Sequence, residues 1–306
     1  MTKSQHKAVG VDIGGTGVKA ALVDVAAGTL LSDRVKVPTP AGGEPDAIRD
    51  AVVELVSRLD VDDDTPIGVT FPAIVHRGRT MSAANVSKAW IGLEAEQLFE
   101  AALGRDIHFV NDADAAGFAE DHYGAAKDVS GLVIMTTLGT GIGGALIYNG
   151  VLIPNAELGH LELDGHDAES RAANSARERE NLSWEAWAAR LQRYYSHLEF
   201  IFSPDLFVVG GGVSKSSELF LPLLDLQTPI VPAKLRNNAG IIGVAALARR
   251  AGGLLPHRFT PGLPEPWGSG RWTCSLLHFL AGCPGWTLST ALLCGARTFL
   301  GIVRAR

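Results

Sequence analysis

Two short segments carry residues suited to handling phosphate. Asp12-Ile13-Gly14-Gly15-Thr16-Gly17 and Leu138-Gly139-Thr140-Gly141 each set glycines and a threonine between apolar runs. Glycine lacks a Cβ, so backbone N–H groups in such a turn approach phosphate oxygens directly. Either turn alone reads equally well as an ordinary tight connection. Together they form an echo: Gly15 to Leu22 matches Gly139 to Leu146 at five of eight positions, 124 residues apart. That spacing predicts two related halves presenting glycine hairpins to one cleft, gripping a polyanion from both sides. Two other phosphate motifs fail on context. A dinucleotide fingerprint needs a helix after its glycines, whereas Val18-Lys19-Ala20-Ala21-Leu22 continues as a strand. A Walker loop needs Gly-Lys before Ser or Thr, and Gly-Lys does not occur in the chain.

Acids flank these turns. Asp12 ends the first strand, where a carboxylate beside phosphate is unfavourable unless Mg²⁺ or its waters intervene. Lys19 either supplies charge there or is a solvated strand lysine. Asn111-Asp112 ends another strand. There Asp112 is either a helix cap serving the N–H groups of Asp114 and Ala115, or a base for an attacking hydroxyl. Glu157-Leu158-Gly159-His160 offers a carboxylate and an imidazole suited to adjacent sugar hydroxyls. A metal reading is weak without nearby cysteine, given only Glu162, Asp164, His166 and Asp167 around it. His166 and Asp167 read as solvated turn residues. Glu169 is either a further hydroxyl ligand or a favourable first-turn acid.

The elements that must position these groups alternate. Val9–Ile13, Val18–Val25 and Leu30–Val37 read as a strand meander ended by Pro38 and Pro40. Ile48, Ala51, Val52, Leu55, Val56 and Leu59 recur at helical spacing behind Pro45. Pro66–Val75, Ile107–Val110, Leu132–Thr137, Gly144–Tyr148 and Leu206–Val209 read as strands. Glu94–Leu103, Ser183–Phe202 and Ile241–Arg250 read as helices. The class is α/β. The expected division is an N-terminal α/β domain at 8–111 with the first hairpin, and a C-terminal α/β domain at 112–238 with the second hairpin. A closing helix follows at 239–252, then an atypical tail at 253–306.

Composition bounds the function. The chain has 306 residues, with 27 Lys and Arg against 33 Asp and Glu. A net charge of -6 argues against a duplex nucleic-acid binder. Cys274, Cys283 and Cys294 all lie in the tail, so no secreted disulfide framework is expected. That tail has no Lys, Asp, Asn, Gln or Tyr, and without it the balance is 22 basic against 32 acidic residues. Residues 279–296 are uncharged but interrupted by Gly282, Pro284, Gly285 and Gly295. Three readings compete for the tail: an anchor, a disordered appendage, or an unnatural end such as an out-of-frame read. The expectation is an appendage outside the working fold, with no membrane association. Met1–His6 is polar and leads directly into a strand, so no signal peptide is expected and the cytoplasm is the expected location.

The ordered set Asp12-Ile13-Gly14-Gly15-Thr16, Asn111-Asp112, Leu138 to Gly144 and Glu157-Leu158-Gly159-His160 resembles the repressor/ORF/kinase (ROK) family of sugar kinases over about residues 8–250. The resemblance implies the actin-like ATPase (ribonuclease H-like) fold, with two α/β domains around a cleft and a homodimer as an option. It implies Asp112 as catalytic base, with Asn111, Glu157, His160 and Glu169 holding the sugar and Asn85 near the sugar-side loop. Asp12, Lys19, Gly14 to Gly17 and Thr137 with Gly139 to Gly141 would serve Mg²⁺ and the phosphoryl donor. Gly211 and Gly212 would lie beside the nucleotide's adenosine. Two departures matter. Many members have a cysteine-rich zinc motif where Asp164 to Glu169 stands here, so no zinc is expected. The family's repressors carry a winged helix ahead of the first hairpin, and only 11 residues precede Asp12, so no DNA reader is expected.

The run Asp164-Gly165-His166-Asp167-Ala168-Glu169, with Ser175-Ala176-Arg177 and Leu182-Ser183-Trp184, resembles the polyphosphate-dependent branch of the family. The implied activity is phosphoryl transfer from inorganic polyphosphate, ATP or both to the 6-hydroxyl of glucose, with mannose as a second acceptor. A chain of phosphates needs cations along a path. Lys19, Lys127, Arg171, Arg177, Arg179, Lys215, Lys234 and Arg236 are the candidates, each of which also reads as a solvated surface charge. Competing readings are an ATP-only glucokinase, a non-catalytic sugar sensor and a conformational ATPase on the same fold.

Overall fold

The computed structural model describes residues 6–84 and 86–251. The expectations for Asn85 and for 253–306 lie outside the described residues.

The first half opens with the hairpin β1 (Lys7–Gly14) and β2 (Gly17–Asp24), followed by β3 (Thr29–Leu30) and β4 (Val35–Val37). Then come α1 (Pro45–Ser57), β5 (Ile67–Phe71), a small hairpin of β6 (Val75–His76) and β7 (Arg79–Thr80), α2 (Ala95–Leu103), β8 (Ile107–Asn111) and α3 (Asp112–Tyr123). The second half repeats the theme. It has β9 (Leu132–Leu138), β10 (Ile142–Tyr148), β11 (Val151–Ile153), and a small hairpin of β12 (Glu162–Leu163) and β13 (His166–Asp167). After these come α4 (Ala168–Ala172), α5 (Asn174–Arg179), α6 (Trp184–Phe202), β14 (Leu206–Gly210), β15 (Ile230–Pro232) and α7 (Ala239–Ala251).

The echo seen in the glycine turns extends to topology. The sheets run β3-β2-β1-β5-β8 and β11-β10-β9-β14-β15. In each, an antiparallel hairpin is flanked by a short antiparallel strand on one side and two parallel strands on the other.

Two expected strands are broken for local reasons. The expected strand Leu30–Val37 is two pieces. Ser32 Oγ accepts the Leu22 N–H at 3.0 Å, so a hydroxyl takes the ladder position and the chain leaves the sheet until Val35. The expected strand Pro66–Val75 stops at Phe71, because Pro72 has no N–H to donate and the Ala73 N–H turns back to the Phe71 carbonyl at 2.9 Å.

Strand alternation decides what faces what. Val9, Val11 and Ile13 of β1 pack outward with Ile48, Val52 and Leu55 of α1 and Phe99 of α2. The intervening Ala8, Gly10 and Asp12 face α7, and Ala8 joins a core built with Phe118, Met135, Ile147, Ile241 and Ala245. On the far side, Trp187, Leu191, Tyr195 and Leu198 of α6 cover the second sheet. The layers are therefore helix, sheet, helix pair, sheet, helix. The closing helices cross over: α7, which ends the second half, packs on β1 and β5, while α3, which ends the first, packs on β9 and β10. The two helices pack against each other where Gly243 meets the Ala115 carbonyl, and a Cβ at 243 would overlap that oxygen. Among the described residues, no helix is long and apolar enough to cross a membrane.

Because the obstructing atom at Gly243 is backbone, Gly243→Ala should lower unfolding free energy by about 1–3 kcal/mol, in the range of core overpacking. Gly15→Ala, whose Cβ would meet no atom within 4 Å, should stay within about 0.5 kcal/mol of wild type. Urea titration followed by circular dichroism checks both.

Candidate functional site

The N-terminus of α3 is built by a division of labour. Asn111 is the cap: its Oδ1 accepts the N–H groups of Ala113 at 2.8 Å and Asp114 at 3.1 Å. Its Nδ2 donates to the Ala73 carbonyl at 3.0 Å, locking β8 to the chain after β5. The capping reading of Asp112 is thereby corrected, because the residue one position earlier already satisfies the orphan donors. Asp112 Oδ1 accepts the Ala113 N–H at 2.8 Å. Removal from bulk water, then the like charges of Asp12 and Glu157, push its carboxyl up to about 7 against the pull of backbone N–H groups. The group still reaches solvent, so it combines a raised proton affinity with access to a ligand.

Asp12 lies opposite Lys19 in the β1–β2 register and beside Thr70 of β5. Lys19 Nζ is 3.2 Å from its Oδ2, and Thr70 Oγ1 donates to Oδ1 at 3.1 Å. Asp12 is a like charge beside the Asp112 carboxyl, and two neighbouring carboxylates form a donor set suited to a divalent cation. The register continues to Gly14 opposite Gly17, leaving Gly15-Thr16 as an exposed two-residue turn, and Thr39 Oγ1 donates to the Gly14 carbonyl.

The second hairpin is tied to the segment that follows it. The Gly139 N–H donates to the Gly141 carbonyl at 3.0 Å. Ser175, at the start of α5, donates its N–H to the Gly139 carbonyl at 3.0 Å and its hydroxyl to the Thr140 carbonyl. Glu169 Oε2 accepts the Ile142 N–H at 2.9 Å. Thr137 Oγ1 and Ala113 converge over Gly143, which places this hairpin at the first turn of α3. Gly211 has φ +82 and lies against the Leu138 backbone, where a Cβ would clash. The loop of Gly211 and Gly212 is thereby fixed beside the same hairpin.

The structure brings Glu157, His160 and Glu169 together. His160 Nε2 lies 3.9 Å from Glu157 Oε2. Desolvation raises the Glu157 carboxyl, with His160 lowering it and Glu169 adding to the rise. Asp167, expected as a solvated turn residue, is indeed exposed, but it also holds two partners. Its Oδ2 lies 2.8 Å from His160 Nδ1, and its Oδ1 accepts the Glu169 N–H at 3.1 Å. One carboxylate therefore orients the imidazole and caps the helix carrying the next acid. His160 is raised chiefly by that bond to Asp167. His160, Asp167 and Glu169 each place one ligand atom within 4.8 Å of the others, so they are also the described residues able to hold a small cation. His166 Nε2 lies 2.7 Å from an Arg171 nitrogen.

Asp114 was visible in the sequence only as a receiver of a cap. It is buried, accepts the Asn155 N–H at 2.8 Å through Oδ2, and has no partner for Oδ1. Burial pushes its carboxyl up to about 7. Asn155 in turn exchanges two hydrogen bonds with the Val75 backbone at 2.9 and 2.8 Å, joining the second half to β6. Of the candidate cations, Arg171 is held beside His166, Arg177 stacks 4.1 Å from the Trp184 ring, and Arg179 binds Ser170 and Glu180.

A paired-sheet α/β fold with two phosphate hairpins, an acid at a helix start and a carboxylate–imidazole pair defines a sugar kinase. The ROK family pattern matches residues 8–176, and the chain belongs to that family. Its fold is the actin-like ATPase fold of ROK sugar kinases. The chain is 45% identical to the polyphosphate glucokinase of Mycobacterium tuberculosis (strain CDC 1551 / Oshkosh), over 79% of this chain and 91% of that protein. It matches the crystal structure of the inorganic polyphosphate/ATP-glucomannokinase from Arthrobacter sp. strain KM at 52% identity with a TM-score of 0.77, covering 80% of this chain and 99% of that one. A ROK family glucokinase from Streptomyces griseus, in complex with glucose and AMPPNP, matches at 27% identity and a TM-score of 0.68, covering 80% and 99%.

If Asp167 is what raises His160, Asp167→Asn should lower the pH at which the His160 imidazole titrates while keeping an oxygen to cap α4. Imidazole resonances followed by NMR across a pH series check this. An unchanged midpoint would assign the rise to Glu157 and Glu169 instead.

Proposed function

We propose that the chain transfers a phosphoryl group from inorganic polyphosphate or ATP to the 6-hydroxyl of glucose, with Asp112 as the base. The observation that carries this is the state of Asp112: relieved of capping by Asn111, raised to about 7 and still open to solvent. A base near the working pH combines a usable deprotonated fraction with real proton affinity. In the step, the glucose oxygen attacks the donor's terminal phosphorus in line and its proton passes to Asp112. The bond from that phosphorus to the bridging oxygen breaks, and the shortened polyphosphate or ADP leaves with the electron pair.

Glu157, His160 and Glu169 hold the hexose hydroxyls, and Asn111 offers its remaining amide hydrogen. With Asp167 on Nδ1, His160 presents Nε2 on the side of Glu157, and the pair fixes the 6-hydroxyl relative to Asp112. The backbone of Gly14 to Gly17 and of Gly139 to Gly141, with Thr137 and Lys19, surrounds the transferred phosphate. Gly211 and Gly212 sit where adenosine would lie when ATP is the donor. Mg²⁺, held at Asp12 directly or through water, would neutralise charge developing on the phosphate. Mannose as a second acceptor is supported by the glucomannokinase relative. A homodimer is what the family resemblance implies.

The deciding experiment is hexose 6-phosphate formation by the full chain with Mg²⁺, with polyphosphate or ATP as donor and glucose or mannose as acceptor. Turnover with both donors is expected, and no turnover with either from folded protein would overturn the kinase reading. Asp112→Asn should retain glucose binding by calorimetry and lose at least roughly 100-fold in kcat. The base works only when deprotonated, so kcat/KM for glucose should rise as pH increases through about 7 and level off above it. A profile flat from pH 6 to 8 would remove Asp112 from this role.

A further inference from the structure

A cavity of about 670 Å³ brings three of the candidate cations, Lys215, Lys234 and Arg236, together with Arg34, Asn237 and Asn238 on its walls. Four of these are cations, and no carboxylate lines it. Among the described residues, Lys215, Lys234 and Arg236 form no ion pair. Four like charges around one hollow repel each other, in a region with 22 basic against 32 acidic residues that offers many carboxylates elsewhere.

The walls are also held in place. The Glu120 carboxylate of α3 accepts the N–H groups of Lys234 at 3.1 Å and Leu235 at 2.6 Å. Arg34 Nη1 donates to the Asn237 carbonyl at 3.3 Å and to Asn238 Oδ1 at 3.2 Å. Arg236 has φ +51, a left-handed conformation that is costly for a side chain of its size.

A row of charge connects this cavity to the donor hairpin. Lys36 of β4 lies directly opposite Lys19 of β2, and Arg34, just before β4, bonds to Asn237 and Asn238 ahead of α7. Like charges directly opposed on antiparallel strands destabilise the pair. At the other end of the row, Asn238 immediately precedes α7, whose Gly240 lies against Asp12. The cavity also adjoins the donor glycines, since Lys215 sits on the short helical segment that begins at Gly212.

We propose that Lys36, Arg34, Lys215, Lys234 and Arg236 hold the distal phosphates of an inorganic polyphosphate chain whose terminal phosphate lies at the hairpins beside Asp12. This rests on the polyphosphate-donor reading above. A long polyanion supplies distal phosphates to the row and the cavity, whereas a donor with only three phosphates has none to place there.

The test compares long-chain polyphosphate, tripolyphosphate and ATP as donors to glucose, using the full chain. The triple variant Lys215→Gln/Lys234→Gln/Arg236→Gln and the single variants Arg34→Gln and Lys36→Gln are measured beside an Arg58→Gln control, at an exposed residue paired with Glu54. In the triple variant, KM for long-chain polyphosphate should rise roughly tenfold or more and its salt dependence should flatten. KM for ATP and tripolyphosphate should stay within about twofold, as should all parameters of Arg58→Gln. An unchanged KM for long-chain polyphosphate in folded variants would overturn the groove and leave the kinase reading standing. An equal loss for all three donors would also overturn it, assigning the cations to the proximal phosphates. Should the triple variant fail to fold, the single variants must each raise KM for long-chain polyphosphate selectively, or the assignment falls. A wild type that uses ATP but no polyphosphate would overturn the donor reading itself.

Discussion

The close approach of α3 and α7 is the constraint on which the rest of this molecule depends. Gly243 has no side chain because the Ala115 carbonyl occupies that space, and the two helices fill the layer between the sheets. Each closes one half and packs on the sheet of the other. Their first turns are thereby brought to the same cleft: α3 begins at Asp112, and α7 begins beside Asp12. The small residues Ala115 of α3 and Gly243 of α7 at the crossing make that geometry possible.

Electrostatics then divides the cleft by sign. Around Asp112, burial and neighbouring acids disfavour charge: the carboxyls of Asp112 and Asp114 are raised to about 7, and that of Glu157 is raised as well. Around the hollow before α7, cations stand without acids. A neutral sugar and a polyanion need opposite environments, and α7 separates the two with its first turn. Asp167 belongs to the acidic side, and stands in the stretch where many family members carry a cysteine-rich metal motif. Its carboxylate keeps the imidazole of His160 oriented by a hydrogen bond.

Much of this was legible in the sequence, because the glycine turns, the Asn-Asp pair and the Glu-x-Gly-His run are local and each has a definite chemistry. The repeat between Gly15 and Gly139 pointed to a duplication that the strand orders carry through. What stayed hidden depends on long-range placement. Nothing in the spacing of Asp167 showed that a two-stranded turn would fold it onto His160. Asn111 outcompeted Asp112 as the cap because its amide also reaches Ala73, a contact across strands that sequence order does not display. Ser32 broke an otherwise well-patterned strand through a hydroxyl that reached Leu22. Arg34 went unnoticed among the cations because its relation to Lys234 and Arg236 exists only once α7 has docked.

The position of α7 in the chain also shapes how the molecule is made. The inner face of the first sheet, with Ala8, Ala21 and Val23, is covered by a helix that starts only at Ala239. During synthesis β1 and β2 leave the ribosome more than two hundred residues before their cover does. Their apolar face must wait in water, or in the care of a chaperone, through nearly the whole of translation. Contacts so distant in sequence also make the final docking a slow step, since the loop they close is nearly the length of the fold. The element that completes the site is therefore also the one that ends the vulnerable life of the nascent chain.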